Sequence, residues 1–366
     1  MRTLEGHRPR RGLSIPCVTA LDPGGEVIEE DQRRLTRYLI QSGRGADVVF
    51  VMGTTGEWNR LAAPQRRLAI QVVVEEVRKA ETRLVRSGQP PVEAWVGVTA
   101  PSVRETLEAL DVAIDLGAHA AVIAPLAIAD IGDPQRFLQR DVADLLDARE
   151  RRLPIFLYDN ADIAVGPQRY LRTRWVKQLS RLDFVRGIKV SAPPRRLGHY
   201  TKAASHFRDR GDFAIYVGNA LHILDMMRPR SGVFGALAER WNRFLLHDML
   251  PAGVVSGPAN VFPREWQRAW QMSCAGDVER MEHMRELFEG FAASYVFPSG
   301  KRSLAALKRA LFRLGVLTSD AVAPGTAALD AAQRDAFDAA FDALHAELPD
   351  RLPSRWISDP READAV

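Results

Sequence analysis

Three stretches of this chain end an apolar run on residues able to do chemistry. Gly187-Ile188-Lys189-Val190-Ser191 places a lysine among residues that exclude water. Such surroundings favour a neutral amine, the form that attacks a carbonyl and condenses to an imine. The same pattern also arises when a lysine snorkels from a sheet rim to solvent. Phe156-Leu157-Tyr158-Asp159-Asn160 ends the run before it. A tyrosine there can pass protons between a carbinolamine, the substrate oxygen and water. Packed at a rim with its hydroxyl in water, it would serve structure only. Gly53-Thr54-Thr55-Gly56-Glu57 sets two hydroxyls between two glycines, ahead of a helix that starts near Pro64. That turn can aim N–H groups and hydroxyls at an anion such as a substrate carboxylate. It lacks the Gly-x-x-x-x-Gly-Lys spacing of a phosphate loop, which argues against a nucleotide. Glu57 reads as a clamp on neighbouring loop amides rather than as a catalytic acid.

The elements that must position these residues alternate along the chain. Apolar runs predict strands over 14–19, 47–52, 92–99, 120–126, 154–160, 184–191, 213–219 and 253–257. Their nearly continuous apolar character is that of parallel strands covered on both faces. Helical spacing falls between them, over 64–79, 103–116, 137–148, 170–179, 197–207 and 240–250. Strands alternating with helices imply a (β/α)8 TIM barrel, in which chemistry sits at the C-terminal ends of the strands. From Pro263 only helices follow, over 264–275, 278–295, 301–314 and 329–346. The expected organisation is a flexible N-terminus (1–12), a catalytic barrel (13–295), a C-terminal helical appendage (296–347) and a flexible polar tail (348–366). Surface loops are expected at 86–91 and 228–234.

Bulk properties bound the function. The 366 residues carry 50 basic and 46 acidic side chains, a net charge of +4. The arginines are scattered, which argues against a nucleic-acid footprint. No run reaches the roughly 20 apolar residues of a membrane span, and no apolar stretch follows the basic first residues as in a secretory signal. A cytoplasmic enzyme is the expectation. Cys17 and Cys274 lie far apart without metal-ligand spacing and read as free thiols.

Taken together, the three motifs resemble the dihydrodipicolinate synthase and N-acetylneuraminate lyase family of pyruvate-type class I aldolases. Gly53-Thr54-Thr55-Gly56-Glu57 is similar to that family's carboxylate-binding motif, Leu157-Tyr158 to its strand-five tyrosine, and Gly187-Ile188-Lys189 to its imine lysine. The resemblance runs from about Leu13 to about Ala346, with Gly253–Val261 fitting the eighth strand and its turn. It implies that Gly53, Thr54 and Thr55 hold a 2-oxo acid carboxylate, that Lys189 forms the imine, and that Tyr158 moves protons. Gly218 and Asn219, ending strand seven, and Ser256, near the end of strand eight, would meet the distal part of the substrate. His222 reads as a surface or packing residue. The resemblance implies no metal or organic cofactor, and a homo-oligomer, dimer or tetramer.

Two departures narrow the expectation. Synthases of this family carry Pro-Tyr-Tyr after strand four, where this chain has Ala124-Pro125-Leu126-Ala127. They also carry an arginine beyond the strand-five tyrosine, where this chain reads Asp159-Asn-Ala-Asp-Ile-Ala164. Loss of that cation removes a charge-assisted contact of about 1.5–3 kcal/mol, roughly tenfold to a hundredfold in binding. The expectation is a lyase acting on a pyruvate-like 2-oxo acid, by aldol chemistry or dehydration, that is not a dihydrodipicolinate synthase. The alternative is a catalytically weak 2-oxo-acid-binding sensor or structural protein. Asp159, Asn160 and Asp162 could bind hydroxyls of a sugar-derived chain, or form a solvated turn.

Overall fold

Each of the eight apolar runs forms a strand, and the strands follow one another in order round a closed barrel. The computed structural model describes residues 4, 7–193, 200, 213–218, 220–221 and 251–365. The barrel strands are β1 (Gly12–Pro16), β2 (Val48–Val51), β3 (Glu93–Gly97), β4 (Ala120–Ile123), β5 (Ile155–Asn160), β6 (Val185–Ser191), β7 (Ala214–Val217) and β8 (Gly253–Val255). Neighbours pair in parallel, as βα alternation requires. The architecture is the (β/α)8 barrel that the sequence pattern predicts. Several strands stop earlier than their apolar runs. β4 ends at Ile123 because Pro125 opens a 3-10 turn, Pro125–Ala127.

Besides the single turn Pro134–Arg136, the described α-helices are α1 (Glu29–Ile40), α2 (Ala63–Arg86), α3 (Val103–Asp115), α4 (Ala143–Ala148), α5 (Thr173–Leu179), α6 (Pro263–Ala275), α7 (Val278–Ala293), α8 (Ser303–Arg313) and α9 (Ala331–Arg351). A π-helical stretch, Phe137–Val142, leads into α4. Among the described residues, no helix is long and apolar enough to cross a membrane. The helices expected over 197–207 (save Tyr200) and 240–250, the loop over 228–234, Asn219 and His222 lie outside the described residues.

The chain packs as two compact units, one of Met1–Gly12 with Trp95–Val255 and one of Leu13–Ala94 with Ser256–Val366. In the first, Trp95 stacks on Phe156 with centroids 4.1 Å apart, and Tyr216 meets both edge-on at 4.9 and 5.6 Å. Gly187 makes room for this cluster. A Cβ there would lie 2.7 Å from the Phe156 ring and 2.5 Å from the Ala214 carbonyl oxygen. Since alternate residues of a strand share a face, Phe156 and Gly187 fix the direction in which Tyr158 and Lys189 point.

In the second unit, α1 is a helix that the sequence reading leaves unassigned. Its buried side includes Gln32 and Thr36 beside Leu35 and Leu39, so polar residues interrupt the apolar stripe. Phe262, at the N-cap of α6, meets Phe291 of α7 and Phe341 of α9, and Phe337 of α9 joins them through ring contacts. The short hairpin of β9 (Val296–Phe297) and β10 (Gly300–Lys301) was also unforeseen. Two-residue strands leave no periodicity.

The polar tail departs from expectation as well. In place of a loose segment, Pro360–Ala363 forms a 3-10 turn, Leu352 and Ala363 are buried, and Arg264 pairs with Glu362 at 2.8 Å. Ser358 donates from its N–H to Glu265 Oε1 at 2.9 Å and from its hydroxyl to Oε2. Part of the tail's polarity is thus satisfied by protein partners. Burial of Glu265 pushes its carboxyl up from 4.5 to about 7, against the opposing Ser358 hydrogen bonds. Because the folded value is the higher one, this group's contribution is complete below pH 4.5 and is lost as pH rises through about 7. A rise of that size is worth on the order of 3 kcal/mol. Glu265→Gln should therefore match the wild type near pH 4.5 and become relatively more stable by pH 8. Urea unfolding across that range checks this; a pH-independent difference between the two proteins would contradict it.

Candidate active site

Strand register places the two residues expected to do covalent and proton chemistry side by side. Tyr158 of β5 pairs with Lys189 of β6, and Asn160 with Ser191. Lys189 and Tyr158 are each only 6% exposed, and the lysine Nζ lies 4.0 Å from the centre of the tyrosine ring. This amine is buried against an aromatic face, so the reading of a lysine snorkelling to solvent does not hold. The Tyr158 hydroxyl accepts from Asn160 Nδ2 at 3.0 Å, and Ser191 Oγ lies 3.4 Å away. Gly218, just past β7, donates its N–H to the Val190 carbonyl at 2.7 Å. Its bare Cα faces Ser191, and a Cβ there would come within 2.0 Å of Ser191 Oγ. Lys189, Tyr158 and Gly218 thus gather in one unit, with Asn160 and Ser191 between them.

Asp159 points away from this group, as strand alternation requires. Its Oδ1 accepts the Leu171 N–H at 2.8 Å and its Oδ2 the Tyr200 hydroxyl at 2.6 Å. At 1% exposure it is neither a sugar-binding carboxylate nor part of a solvated turn. It pins the chain after β5 in place. Asp162 is exposed, and its N–H donates to Asn160 Oδ1 at 3.1 Å. After β4, Ala124 donates its N–H to Thr99 Oγ1 at 2.9 Å, and Ala127 is buried.

The other unit holds Gly53, Thr54, Thr55 and Ser256. Gly53 is extended and precedes a single 3-10 turn, Thr54–Gly56, which Glu57 closes in the left-handed region at φ 57°. Thr54 is exposed and Thr55 half-buried, so both hydroxyl-bearing side chains stand at the surface of the turn. The turn is anchored from beneath, where Thr19 Oγ1 donates to the Gly56 carbonyl at 2.8 Å. A Cβ at Gly257 would lie 3.7 Å from Thr55 Oγ1, which places Thr55 beside the loop after β8. Ser256 is fully buried, and its Oγ accepts the Ala259 N–H at 3.3 Å. That bond ties its hydroxyl to the 3-10 turn Pro258–Asn260.

Glu57 is the loop clamp that the sequence reading expects, with one unforeseen partner. Its Oε1 accepts the Ala323 N–H at 2.8 Å and the Thr326 hydroxyl at 2.7 Å, and its Oε2 accepts Lys308 Nζ at 2.6 Å. Lys308 also donates to the Ala321 carbonyl at 2.8 Å. Burial draws the Lys308 ammonium below the ordinary lysine range, with Glu57 opposing that pull. A lysine in the middle of α8 carries no local mark of this role, since its partner lies 251 residues away.

Comparisons with known proteins bear on the family and the fold. The model of the dihydrodipicolinate synthetase family matches residues 9–237. A 4-hydroxy-tetrahydrodipicolinate synthase from Methanothermobacter thermautotrophicus is 28% identical over 272 residues, covering 73% of this chain and 81% of the relative. An uncharacterized DapA-like lyase from Halobacterium salinarum is 28% identical over 182 residues, about half of either protein. Among solved structures, dihydrodipicolinate synthase from Bacteroides thetaiotaomicron superposes with a TM-score of 0.72 at 24% identity, covering 92% of this chain and 99% of that one. The sialic acid aldolase of Ruminococcus gnavus superposes with a TM-score of 0.73 at 15% identity, over 93% of this chain and 99% of its own. These two share the fold. The family match spans more than half of the residues, including both the Thr54-Thr55 turn and Lys189, and on that ground the chain belongs to the dihydrodipicolinate synthetase family.

Proposed function

We propose that this protein is a class I aldolase-type lyase acting on a pyruvate-like 2-oxo acid through an imine on Lys189. The observation that carries the reading is the buried Lys189 amine, 4.0 Å from the ring centre of Tyr158. In the reaction, Lys189 adds to the 2-oxo carbonyl and Tyr158 moves the protons that turn the carbinolamine into a protonated imine. The imine withdraws electrons, so C3 loses a proton or the C3–C4 bond breaks to an enamine. Thr54 and Thr55 supply hydroxyls, and the backbone from Gly53 onward supplies N–H groups, for the substrate carboxylate. A cytoplasmic homo-oligomer belongs to the same reading and rests on the family resemblance.

The second substrate or distal group is proposed to be neutral, polyhydroxylated or aromatic. Supporting this is the stretch after Tyr158, where Ile163 and the exposed Asp162 stand and no arginine does. Pyruvate should be offered with aspartate semialdehyde and, separately, with neutral hydroxylated and aromatic aldehydes, alongside hydroxylated 2-oxo acids for dehydration. At least one neutral substrate is expected to exceed the amino-aldehyde by about tenfold or more in kcat/KM. Preference for the amino-aldehyde would overturn this narrowing. A second reading, a 2-oxo-acid-binding protein with weak catalysis, is favoured by the turn after β4, which carries no tyrosine. It would gain if 2-oxo acids raised Tm without turnover of any of them.

A further inference from the structure

The proton carrier Tyr158 is itself held by two side chains whose part in the chemistry is unassigned. A phenol has one proton to donate and an oxygen that can accept. Asn160 donates its Nδ2 to that oxygen at 3.0 Å. The amide orientation is fixed from its other end, where Oδ1 accepts the Asp162 N–H at 3.1 Å. Nδ2 has no acceptor capacity, so the Tyr158 proton must point elsewhere.

Ser191 stands beside the same oxygen as a second donor, which leaves the phenol proton free to serve the substrate. It sits two residues beyond Lys189 on the same face of β6 and pairs in register with Asn160. Its Oγ is 3.4 Å from the Tyr158 oxygen. That is long beside the usual ~2.7 Å for two hydroxyls, but such contacts commonly tighten when substrate binds. Gly218 leaves the space that the serine hydroxyl occupies, since a Cβ there would fall 2.0 Å from Oγ. Ser191 is half-buried while Tyr158 is nearly closed off, so the serine is the more solvent-accessible of the two. The turn after β4, Ala124–Ala127, contributes no hydroxyl or titratable side chain.

We propose that Asn160 and Ser191 are positioning residues of a proton relay through Tyr158, with Asn160 orienting the phenol and Ser191 linking it to solvent. The inference rests on the imine reading above. In carbinolamine collapse the Tyr158 O–H bond breaks, its proton joins the departing hydroxyl, and that group leaves as water. The nitrogen lone pair becomes the second C=N bond. The phenolate oxygen takes the Ser191 proton while Ser191 takes one from solvent, so the net change is one solvent proton consumed. Deprotonation at C3 runs the relay in the other direction.

The test uses the full chain with pyruvate as probe. Exchange of the pyruvate methyl protons in D2O and the rate of borohydride-trapped adduct formation are followed for the wild type, Ser191→Ala, Ser191→Thr and Asn160→Leu. Ser191→Ala and Asn160→Leu are expected to slow both rates by roughly tenfold to a hundredfold. Half-saturating pyruvate and final adduct yield should stay unchanged, and Ser191→Thr should recover most of the rate. If the wild type is trapped on Lys189 and Ser191→Ala exchanges at the same rate, the relay is overturned and the imine reading stands. If losses appear only as weaker pyruvate binding, the relay is likewise overturned. If the wild type forms no adduct, both readings fall together.

Discussion

Lys189→Met is expected to fold normally and to lose at least about 10³-fold in kcat/KM, or roughly 4 kcal/mol of transition-state stabilisation. The size of the loss follows from what the amine supplies. Without it the 2-oxo carbonyl never becomes a protonated imine, and a carbanion at C3 has no electron sink. On the proposed reading the contacts that hold the substrate carboxylate do not depend on the amine, so pyruvate should continue to raise Tm. The methionine keeps the apolar stem in a site only 6% exposed. A near-isosteric replacement of that kind costs less than about 1.5 kcal/mol. Steady-state kinetics beside urea unfolding separate the two effects. Retained turnover in a folded variant would remove Lys189 from the chemistry.

The second large effect is on stability, at the buried pair that Glu57 forms beside the Thr54–Gly56 turn. Lys308 is completely buried and Glu57 is 2% exposed, with Nζ and Oε2 at 2.6 Å. Removing one partner leaves the other charge in a medium that solvates it poorly, at about 3–5 kcal/mol. Lys308→Met should lose that much. Glu57 would keep its bonds from Ala323 and Thr326, which places the loss at the lower end of the range. Adding Glu57→Gln should recover a large part, because the buried charge is then gone. Denaturation of the two single variants and the double variant completes the cycle. A loss below about 1 kcal/mol in Lys308→Met would show that the pair is no stronger than a surface one. Glu57 also closes the Thr54–Gly56 turn, so the folded fraction of Lys308→Met should need more pyruvate to saturate.

Strand positions and the lysine–tyrosine pair were legible because their causes are local. Parallel strands buried on both faces leave apolar runs, and Tyr158 and Lys189 stand at the ends of consecutive ones. Register then pairs them without further information. α1 was not legible, since Gln32 and Thr36 occupy its buried face by hydrogen bonding to distant or local backbone. The tail misled for a similar reason. Its polar residues look solvated until Glu265, Gln41 and Arg264 are brought up to them. Asp159 illustrates the limit within the site. It neighbours Tyr158 in sequence, yet alternation turns it to Leu171 and Tyr200. Ser256 reads as a strand-end residue facing the substrate, and its hydroxyl accepts the Ala259 N–H in a fully buried position.

The proposed chemistry makes a covalent bond between Lys189 and a 2-oxo acid, and reductive trapping reads that bond directly. The full chain is incubated with pyruvate, reduced with borohydride, digested and analysed by mass spectrometry. One pyruvate-derived adduct per chain is expected, on the peptide bearing Lys189, and none in Lys189→Met. An unmodified wild-type protein, an adduct on another lysine, or one that persists in Lys189→Met would contradict it.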